Sequence, residues 1–372
     1  MKYQIAIIGG GLAGLALAID LRKRGCAVIV IEKGLFPRHK VCGEYISLES
    51  RNYLFSLCPQ LADLHLPQIN KFLLTSTGKK EFRTTLPLGG FGISRYLLEE
   101  LLYHEACDLG VAFMLKTKAS KVQCDANNST FTINTSKGII YSSLVCNASG
   151  RKSNFETEKK ELQAPSTNYI GIKYHVKLKR DSTLIEIHNF PGGYCGISTI
   201  EEDKSCLCYI VNSKKLRTAK NSIPELERTI LYQNNHLKEL FTKATFITTE
   251  PVVISGINFK IKKSIDDEII YLGDSAGSIA PITGNGMSMA LRSADALARG
   301  IDDYFSSKIS TSQLHKSYAL FWKEQFSTRV KLSRQFQKLS EYSLLTNITI
   351  QLFNSFPALA QLAIKQTYGK PF

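Results

Sequence analysis

Three glycines near the start of the chain have the spacing of a nucleotide-binding turn. Gly9, Gly11 and Gly14 fit the pattern G-x-G-x-x-G and directly follow the apolar run 4–8. In such a turn the first glycine permits a sharp bend, the second lets a pyrophosphate approach the backbone, and the third lets the helix pack on the strand. We therefore predict that a dinucleotide binds at this turn.

The elements that must position this turn are predicted on its C-terminal side. Residues 15–23 have a helical pattern that stops at Gly25, and 27–31 form a second apolar run that ends at Glu32. The start of the helix offers free N–H groups and a partial positive charge to a pyrophosphate. A carboxylate at the tip of the second strand can accept hydrogen bonds from an adenosine ribose. The contacts predicted in this part of the chain are Gly9, Gly11, Leu12, Ala13, Gly14, Glu32 and Lys33.

A second segment, more than two hundred residues later, predicts contacts with a flavin. The apolar run 268–272 ends in a Gly-Asp pair, which places Asp274 at the edge of a sheet where it can bind a ribityl chain. Gly284 and Gly286 lead into a helix predicted over 287–299 and closed by Gly300, whose N-terminus can stabilise the negative charge of a reduced flavin. FAD needs this second element and a nicotinamide cofactor does not. The predicted contacts are Gly273, Asp274, Gly284, Asn285, Gly286 and Met287.

Composition and cysteine content narrow the class of protein. The chain has 372 residues, of which 44% are hydrophobic and 21% charged, as in soluble globular proteins. The N-terminus begins directly with a predicted core strand, so we expect no signal peptide, and no apolar run has the length of a membrane span. Nine cysteines without a C-x-x-C pair favour a cytoplasmic location and argue against disulfides or a metal site.

The net charge of +15 predicts an anionic partner. Lysine and arginine are spread along the whole chain and no nucleic-acid module is visible, so nucleic acid is not an expected partner. Anionic ligands or a membrane surface fit better, and a generally basic surface is an equal alternative. Residues 348–353 and 357–365 have apolar faces flanked by lysines, consistent with a lid or a peripheral membrane contact. A helix packed on the FAD domain is the simpler interpretation.

The remaining pattern predicts two interleaved domains and a helical tail. Residues 70–76 and 80–86 predict a hairpin, and strand-like runs recur between 165 and 264 around a helix predicted over 224–240. We predict an FAD-binding domain in three parts (1–69, 92–164 and 265–305), a substrate-domain hairpin (70–91), a mostly antiparallel substrate domain (165–264) and a helical C-terminal region (306–372).

Together these motifs resemble the geranylgeranyl reductase family, within the group A flavoprotein monooxygenase superfamily of FAD enzymes similar to p-hydroxybenzoate hydroxylase. The resemblance rests on the glycine turn with Glu32, the loop 37–44, the pair Ser94-Arg95 and the segment 273–287, and it covers 1–150 and 268–300. It implies an α/β, glutathione-reductase-like Rossmann fold that binds FAD, with an inserted antiparallel sheet roofing the substrate cavity. The FAD contacts that it implies are Glu32, Arg38, Cys42, Gly43, Arg95, Asp274 and Gly286, and we add Val122.

Two departures from related patterns affect the predicted chemistry. Many relatives have Ala-Asp-Gly where this chain has Ala-Ser-Gly at 148–150, which weakens any inference about how NADPH is handled. Flavin halogenases resemble one another in a pattern with two tryptophans near an Ile-Pro pair. The corresponding stretch here, 190–197, contains no tryptophan, and the single tryptophan of the chain is Trp322. Halogenation is therefore disfavoured.

Three residues are candidates for catalysis. Cys42 and Glu44 lie on the loop that the resemblance places at the flavin, and either could help to deliver a proton. Cys42 could equally pack against the ring, and Glu44 could equally be a loop carboxylate that pairs with Arg38 or Lys40. Tyr194 follows two glycines and could place its hydroxyl over the flavin, or be an ordinary strand aromatic. His175 and His188 lie in predicted strands and are given no role.

Three functions remain open from the sequence. The first is an FAD-dependent oxidoreductase that reduces carbon–carbon double bonds of an isoprenoid or other lipophilic substrate, with NAD(P)H or another donor as reductant. The second is a monooxygenase that hydroxylates an aromatic or polyketide-type substrate. The third is a prenyl-lipid binding escort without catalytic activity. The oligomeric state is left open.

Overall fold

The computed structural model describes residues 2–125, 130–151, 168–259 and 262–372. The junction predicted at 164/165 therefore lies outside the described residues. The strands are β1 (Lys2–Ile8), β2 (Val28–Ile31), β3 (Tyr45–Ser47), β4 (Gln68–Thr75), β5 (Glu81–Gly92), β6 (Ala112–Met114), β7 (Ala119–Asp125), β8 (Thr130–Thr135), β9 (Gly138–Asn147), β10 (Tyr169–Lys177), β11 (Leu184–Phe190), β12 (Gly193–Thr199), β13 (Lys204–Asn212), β14 (Thr245–Phe246), β15 (Val252–Ile257), β16 (Ile265–Asp266) and β17 (Ile269–Tyr271). The α-helices are α1 (Leu12–Lys23), α2 (Arg51–Leu57), α3 (Arg95–Asp108), α4 (Ser213–Thr218), α5 (Ile223–Thr229), α6 (Asn235–Lys243), α7 (Gly286–Phe305), α8 (Thr311–Leu339), α9 (Ser343–Ser355) and α10 (Pro357–Lys365).

The first sheet has the order β16-β17-β9-β1-β2-β6. Strand β1 pairs in parallel with both β2 and β9, and β17 pairs in parallel with β9, so the N-terminal and C-terminal segments share one sheet. The run 5–8 is buried on both faces, as expected for a central parallel strand. Helix α1 is buried along almost its full length against α3 and α7. These features confirm the predicted Rossmann-type α/β fold.

The second sheet has the order β14-β10-β13-β12-β11-β4-β5-β3, with β15 paired to β10. The predicted hairpin is present, because β4 and β5 pair antiparallel. Strand β4 also pairs in parallel with β11, so the hairpin joins the sheet formed by the later segment and makes it mixed. Two sheets and a helical C-terminal region give the predicted architecture.

Two helices differ from the sequence-based expectation. The helix predicted over 224–240 is interrupted, because α5 stops at Thr229 and Asn234 starts α6 by accepting a hydrogen bond from the backbone N–H of His236. Helix α7 continues past Gly300 to Phe305. A Cβ atom on Gly300 would lie 2.8 Å from Leu314, so this glycine permits α7 to pack closely on α8.

The C-terminal region consists of one long helix followed by two short ones. Helix α8 begins with a capping box in which Ser310 and Gln313 exchange side-chain and backbone hydrogen bonds. Pro357 separates α9 from α10. Both short helices pack on β5. Among the described residues, no helix combines the length and the apolar character needed to cross a membrane.

Candidate active site

A cavity of about 770 Å³ extends from the glycine turn to the C-terminal helices. Both sheets contribute to its walls, and so do the loop 38–45 and the segment 279–287. The two segments that the sequence predicted to meet therefore share one cavity. The predicted site residues that line it are Gly9, Gly11, Leu12, Ala13, Glu32, Lys33, Arg38, Cys42, Gly43, Glu44, Arg95, Tyr194, Asp274, Gly284, Asn285, Gly286 and Met287.

The glycine turn has the close packing that its spacing predicts. Gly9 has a φ of +107°, and a Cβ atom there would lie 2.5 Å from the carbonyl oxygen of Ala148. A Cβ atom on Gly14 would collide with the carbonyl oxygen of Gly9, so Gly14 acts through packing of α1 on β1. The N-cap of α1 is Gly11, whose lack of a side chain leaves the first backbone N–H groups of the helix open to the cavity.

Glu32 is fixed at the end of β2 as an ionised carboxylate. It accepts hydrogen bonds from the backbone N–H groups of Gly10 and Gly34, at 2.7 and 2.8 Å, and pairs with Arg38 at 2.8 Å. Burial raises the pKa of Glu32, but Arg38 and these two N–H groups outweigh burial and lower the pKa overall. The carboxylate is therefore held at the end of β2, and its contact with the ribose of a dinucleotide stays a prediction.

Three cations surround one buried carboxylate beside the turn. Glu99 pairs with Lys40 at 3.1 Å and with Arg95, and the guanidinium of Arg38 lies 3.8 Å away. A Cβ atom on Gly11 would be 3.1 Å from Nζ of Lys40, which places this positive charge directly at the turn. Because Arg38 also pairs with Glu32, two carboxylates stand against three cations, and the site keeps a small excess of positive charge.

The charge of these cations and their unpartnered N–H donors fit the pyrophosphate of FAD. Burial lowers the pKa of Lys40 to about 8, with Glu99 acting in the opposite direction. The Nε atoms of Arg38 and Arg95 are buried and have no hydrogen-bond partner among the described residues. An anion with several oxygens would satisfy these donors and balance the charge. The residues present therefore fit a bound dinucleotide phosphate.

The far end of the cavity is organised by the start of α7. Asn285 donates hydrogen bonds to the carbonyl oxygens of Thr283 and Thr367, which attaches the C-terminal segment beside the glycines at 284 and 286. Asp274 lines the cavity, with Arg151 at 3.9 Å. Gly273 has a φ of +61° and turns the backbone, but it is not among the cavity-lining residues.

Glu44 does not have the properties of the proton donor that its position predicted. It is fully buried and accepts hydrogen bonds from Lys173 at 2.7 Å, from His175 at 2.6 Å and from the backbone N–H of Arg95 at 2.8 Å. Burial raises its pKa, but His175 and Lys173 outweigh burial and lower the pKa to about 2. Glu44 is therefore an ionised carboxylate at neutral pH that anchors the loop, and His175, to which the sequence analysis assigned no role, is one of its partners.

The same cluster contains potential metal ligands. Glu44, His175 and Cys206 offer three ligand atoms within 4.8 Å of one another. The ammonium group of Lys173 already pairs with Glu44, and burial raises the pKa of Cys206 well above its usual value. A buried ion-pair network therefore describes this cluster better than a metal site.

Cys42 and Tyr194 both lie at the cavity wall. Cys42 is half-buried, contacts Arg95 and lies two residues before Glu44. Tyr194 is 4% exposed, and its hydroxyl has no hydrogen-bond partner among the residues that the structure describes. Burial raises its pKa well above the usual value, so the phenol keeps its proton at neutral pH. Their catalytic roles stay predictions.

Val122 is not among the described residues that line the cavity. It lies on β7, pairs with Ile133 of β8, and packs on the hydrophobic core that surrounds the first sheet. The β7–β8 hairpin is attached to β9 at the side of the sheet, which explains this position. The structure gives no support to Val122 as a cofactor contact.

Comparisons with known proteins agree with this geometry. Residues 4–40 match the family model described as FAD dependent oxidoreductase. The chain is 24% identical over 353 residues to digeranylgeranylglycerophospholipid reductase of Methanocaldococcus jannaschii, covering 91% of this chain and 87% of that protein. The chain is an FAD-dependent oxidoreductase.

Two further similarities were found. The chain is 24% identical over 366 residues to conditioned medium factor receptor 1 of Dictyostelium discoideum, with 89% of this chain and 69% of that protein covered. Its fold matches the solved structure of the flavin-dependent brominase Bmp2 with a TM-score of 0.78 at 19% identity, over 99% of this chain and 93% of that one. This structural likeness shows a shared fold.

Sequence reasoning missed two features of the site. Glu99 is four residues after Arg95 on α3, so the i,i+4 spacing could have identified the pair. Lys173 lies in a strand that reads as apolar, and only the tertiary structure brings it to Glu44. Residues of α3 and of the second sheet therefore hold the loop 38–45 in place.

Replacing Lys40 by methionine should weaken FAD binding, because it removes a cation beside the pyrophosphate site while Arg95 still pairs with Glu99. We expect the Kd for FAD to rise by about tenfold or more when apoprotein is titrated with FAD. The control is Lys118→Met, which removes an exposed lysine outside the cavity lining. An equal Kd for both variants would contradict the assignment.

The substitution Glu44→Gln should lower the free energy of unfolding by about 3–5 kcal/mol, because it leaves the charge of Lys173 buried without its partner. The double variant Glu44→Gln/Lys173→Met should recover part of this loss. Chemical denaturation measures both. The control Glu81→Gln, in an exposed pair with Arg83, should change stability by no more than about 0.5 kcal/mol.

The difference in stability between the unsubstituted protein and Glu44→Gln should depend on pH. The pKa of Glu44 falls from 4.5 to about 2 on folding, so its stabilisation is complete above pH 4.5 and is lost as the pH falls towards 2. The loss of stability over this range should be smaller in Glu44→Gln than in the unsubstituted protein. If the free energies of unfolding of the two proteins instead change with pH in parallel, Glu44 is not the ionised anchor of the loop.

Proposed function

We propose that this oxidoreductase reduces carbon–carbon double bonds of an isoprenoid or other lipophilic substrate. The observation that supports this most directly is the apolar wall of the cavity beyond the cofactor residues. Aliphatic and aromatic side chains come from the second sheet and from the C-terminal helices. They include Phe72, Leu74, Phe82, Ile185, Ile187, Ile210, Ile254, Ile282, Phe336, Leu339, Phe353 and Ile364.

Such a wall suits a long hydrocarbon better than a small polar compound. Burying a flexible apolar chain is favourable by about 0.8 kcal/mol for each CH₂ group, whereas polar substituents would lose their hydration. The relative from Methanocaldococcus jannaschii is named for reduction of a digeranylgeranyl glycerophospholipid, which has chains of this kind. Both points support a polyprenyl lipid as the substrate class.

The residues of the chain would act by binding, orienting and protonating. FAD, when bound and reduced by NAD(P)H or another donor, would supply the hydride. Addition of a hydride to one carbon of a double bond requires a proton at the other. Tyr194 is the candidate donor, because its protonated hydroxyl lies at the apolar wall and has no competing hydrogen-bond partner among the described residues. Cys42 would be the second candidate, and Glu44 would hold the loop in place.

The reaction class can be tested with the holoprotein under anaerobic conditions. Flavin reduced with dithionite should be reoxidised by a polyprenyl glycerolipid in detergent, and mass spectrometry should show a gain of two hydrogens for each reduced bond. Incorporation of ¹⁸O from labelled O₂ into an aromatic substrate, without hydrogen gain in the lipid, would favour the monooxygenase function. Lipid binding without oxidation of the reduced flavin would favour an escort function.

Replacing Tyr194 by phenylalanine should reduce kcat for the lipid by about 10²-fold or more, because the ring remains and only the proton donor is lost. We expect KM and the Kd for FAD to stay within about twofold. The control is Tyr141→Phe, an exposed tyrosine on β9. If Tyr194→Phe has normal kcat, the proton comes from another group, and Cys42→Ser is then the next variant to measure.

A further inference from the structure

Helices α9 and α10 carry a continuous apolar surface that faces solvent. Leu344, Ile348 and Leu352 follow one another at i,i+4 spacing, so they form one stripe along α9. Leu344 is 77% exposed, which is unusual for a leucine within a helix. We call this surface the outer face. It consists of Leu344, Leu345, Ile348, Leu352, Phe356, Leu359 and Leu362.

The other side of the same two helices belongs to the cavity. Thr346, Thr349 and Phe353 of α9 line it, and so do Ala363 and Ile364 of α10. A helix with its side chains is about 10 Å thick, so only one layer of helix separates the outer face from the cavity. The outer face is therefore directly above the apolar part of the site.

The helices are firmly attached to the second sheet. Asn354 donates a hydrogen bond to the carbonyl oxygen of Glu81, and Gln361 donates to Thr84 and Thr85 of the same strand. Ile350 is fully buried against the hairpin. The exposure of the outer face is therefore a property of helices already packed on one side.

Most charges near the outer face are positive, and the exposed carboxylate of Glu81, beside Asn354, is paired with Arg83. Residues 343–365 contain no aspartate or glutamate. Lys338, Lys365 and Lys79 are exposed at its borders, the last on a hairpin turn that contacts α9 through Asn347. Glu341, the acidic residue nearest in sequence, is half-buried and bonded to Tyr169 and Asn212.

We propose that the outer face docks on the surface of an anionic lipid bilayer. Apolar side chains between exposed lysines are the combination that binds at an interface, since the former enter the acyl boundary and the latter attract anionic headgroups. A second copy of this chain would bring its own lysines against the first set, which disfavours self-association. The proposal concerns the surface alone and holds whichever reaction the flavin performs.

The test is flotation of the holoprotein with vesicles, without substrate or reductant. We expect binding to vesicles of phosphatidylcholine and phosphatidylglycerol, and at least about tenfold weaker binding to phosphatidylcholine alone. The triple variant Leu344→Ser/Ile348→Ser/Leu362→Ser should bind at least about tenfold more weakly. The matched control is Leu320→Ser/Ile139→Ser/Ile247→Ser, which replaces similarly exposed residues elsewhere and should bind normally.

A charge comparison gives a second, independent readout. Lys338→Glu/Lys365→Glu should weaken binding to anionic vesicles more than Lys316→Glu/Lys323→Glu, which changes the same number of exposed lysines on α8. Melting temperature and flavin absorbance confirm that each variant is folded. The proposal is overturned if the unsubstituted protein does not float, or if both triple variants float equally. A dimer that the outer-face triple variant dissociates, with no vesicle binding, would overturn it in favour of self-association.

Discussion

The ion-pair network around Glu44 is the interaction on which the site depends. Lys173 and His175 come from β10 of the second sheet, while the N–H of Arg95 comes from the start of α3 in the first domain. Glu44 therefore joins both halves of the molecule at the loop that lines the cofactor cavity. A buried carboxylate without these partners would be strongly unfavourable, so the loop, the sheet and the helix are restricted to one relative arrangement.

Much of the cofactor end was predictable from sequence because its signals are local. The glycine turn, Glu32 and the Gly-Asp strand end each depend on neighbours in the chain, and the structure brings all three to one cavity. The apolar substrate wall was harder to predict, since its residues come from many strands and helices. Glu44 illustrates the same limit, because its ionisation is determined by His175 and Lys173, which are 131 and 129 positions away.

The two differences between the predicted and the observed helices have physical causes of the same kind. Gly300 has the sequence signature of a helix end, yet its role is to let Leu314 of α8 approach α7. The expected single helix near residue 230 is broken because Asn234 also donates to Asn189 and Thr75, which fixes a turn against the second sheet. In both cases a long-range contact overrides a local pattern.

The parallel pairing of β4 with β11 affects how the chain can reach this fold. Residues 71–75 must pair with 184–188, so the N-terminal hairpin has no completed sheet until residues 184–188 have also left the ribosome. Strand β9 similarly waits for β17 near residue 270. Neither domain can therefore be finished before most of the chain is synthesised, and the late-pairing strand edges need protection from aggregation during that interval.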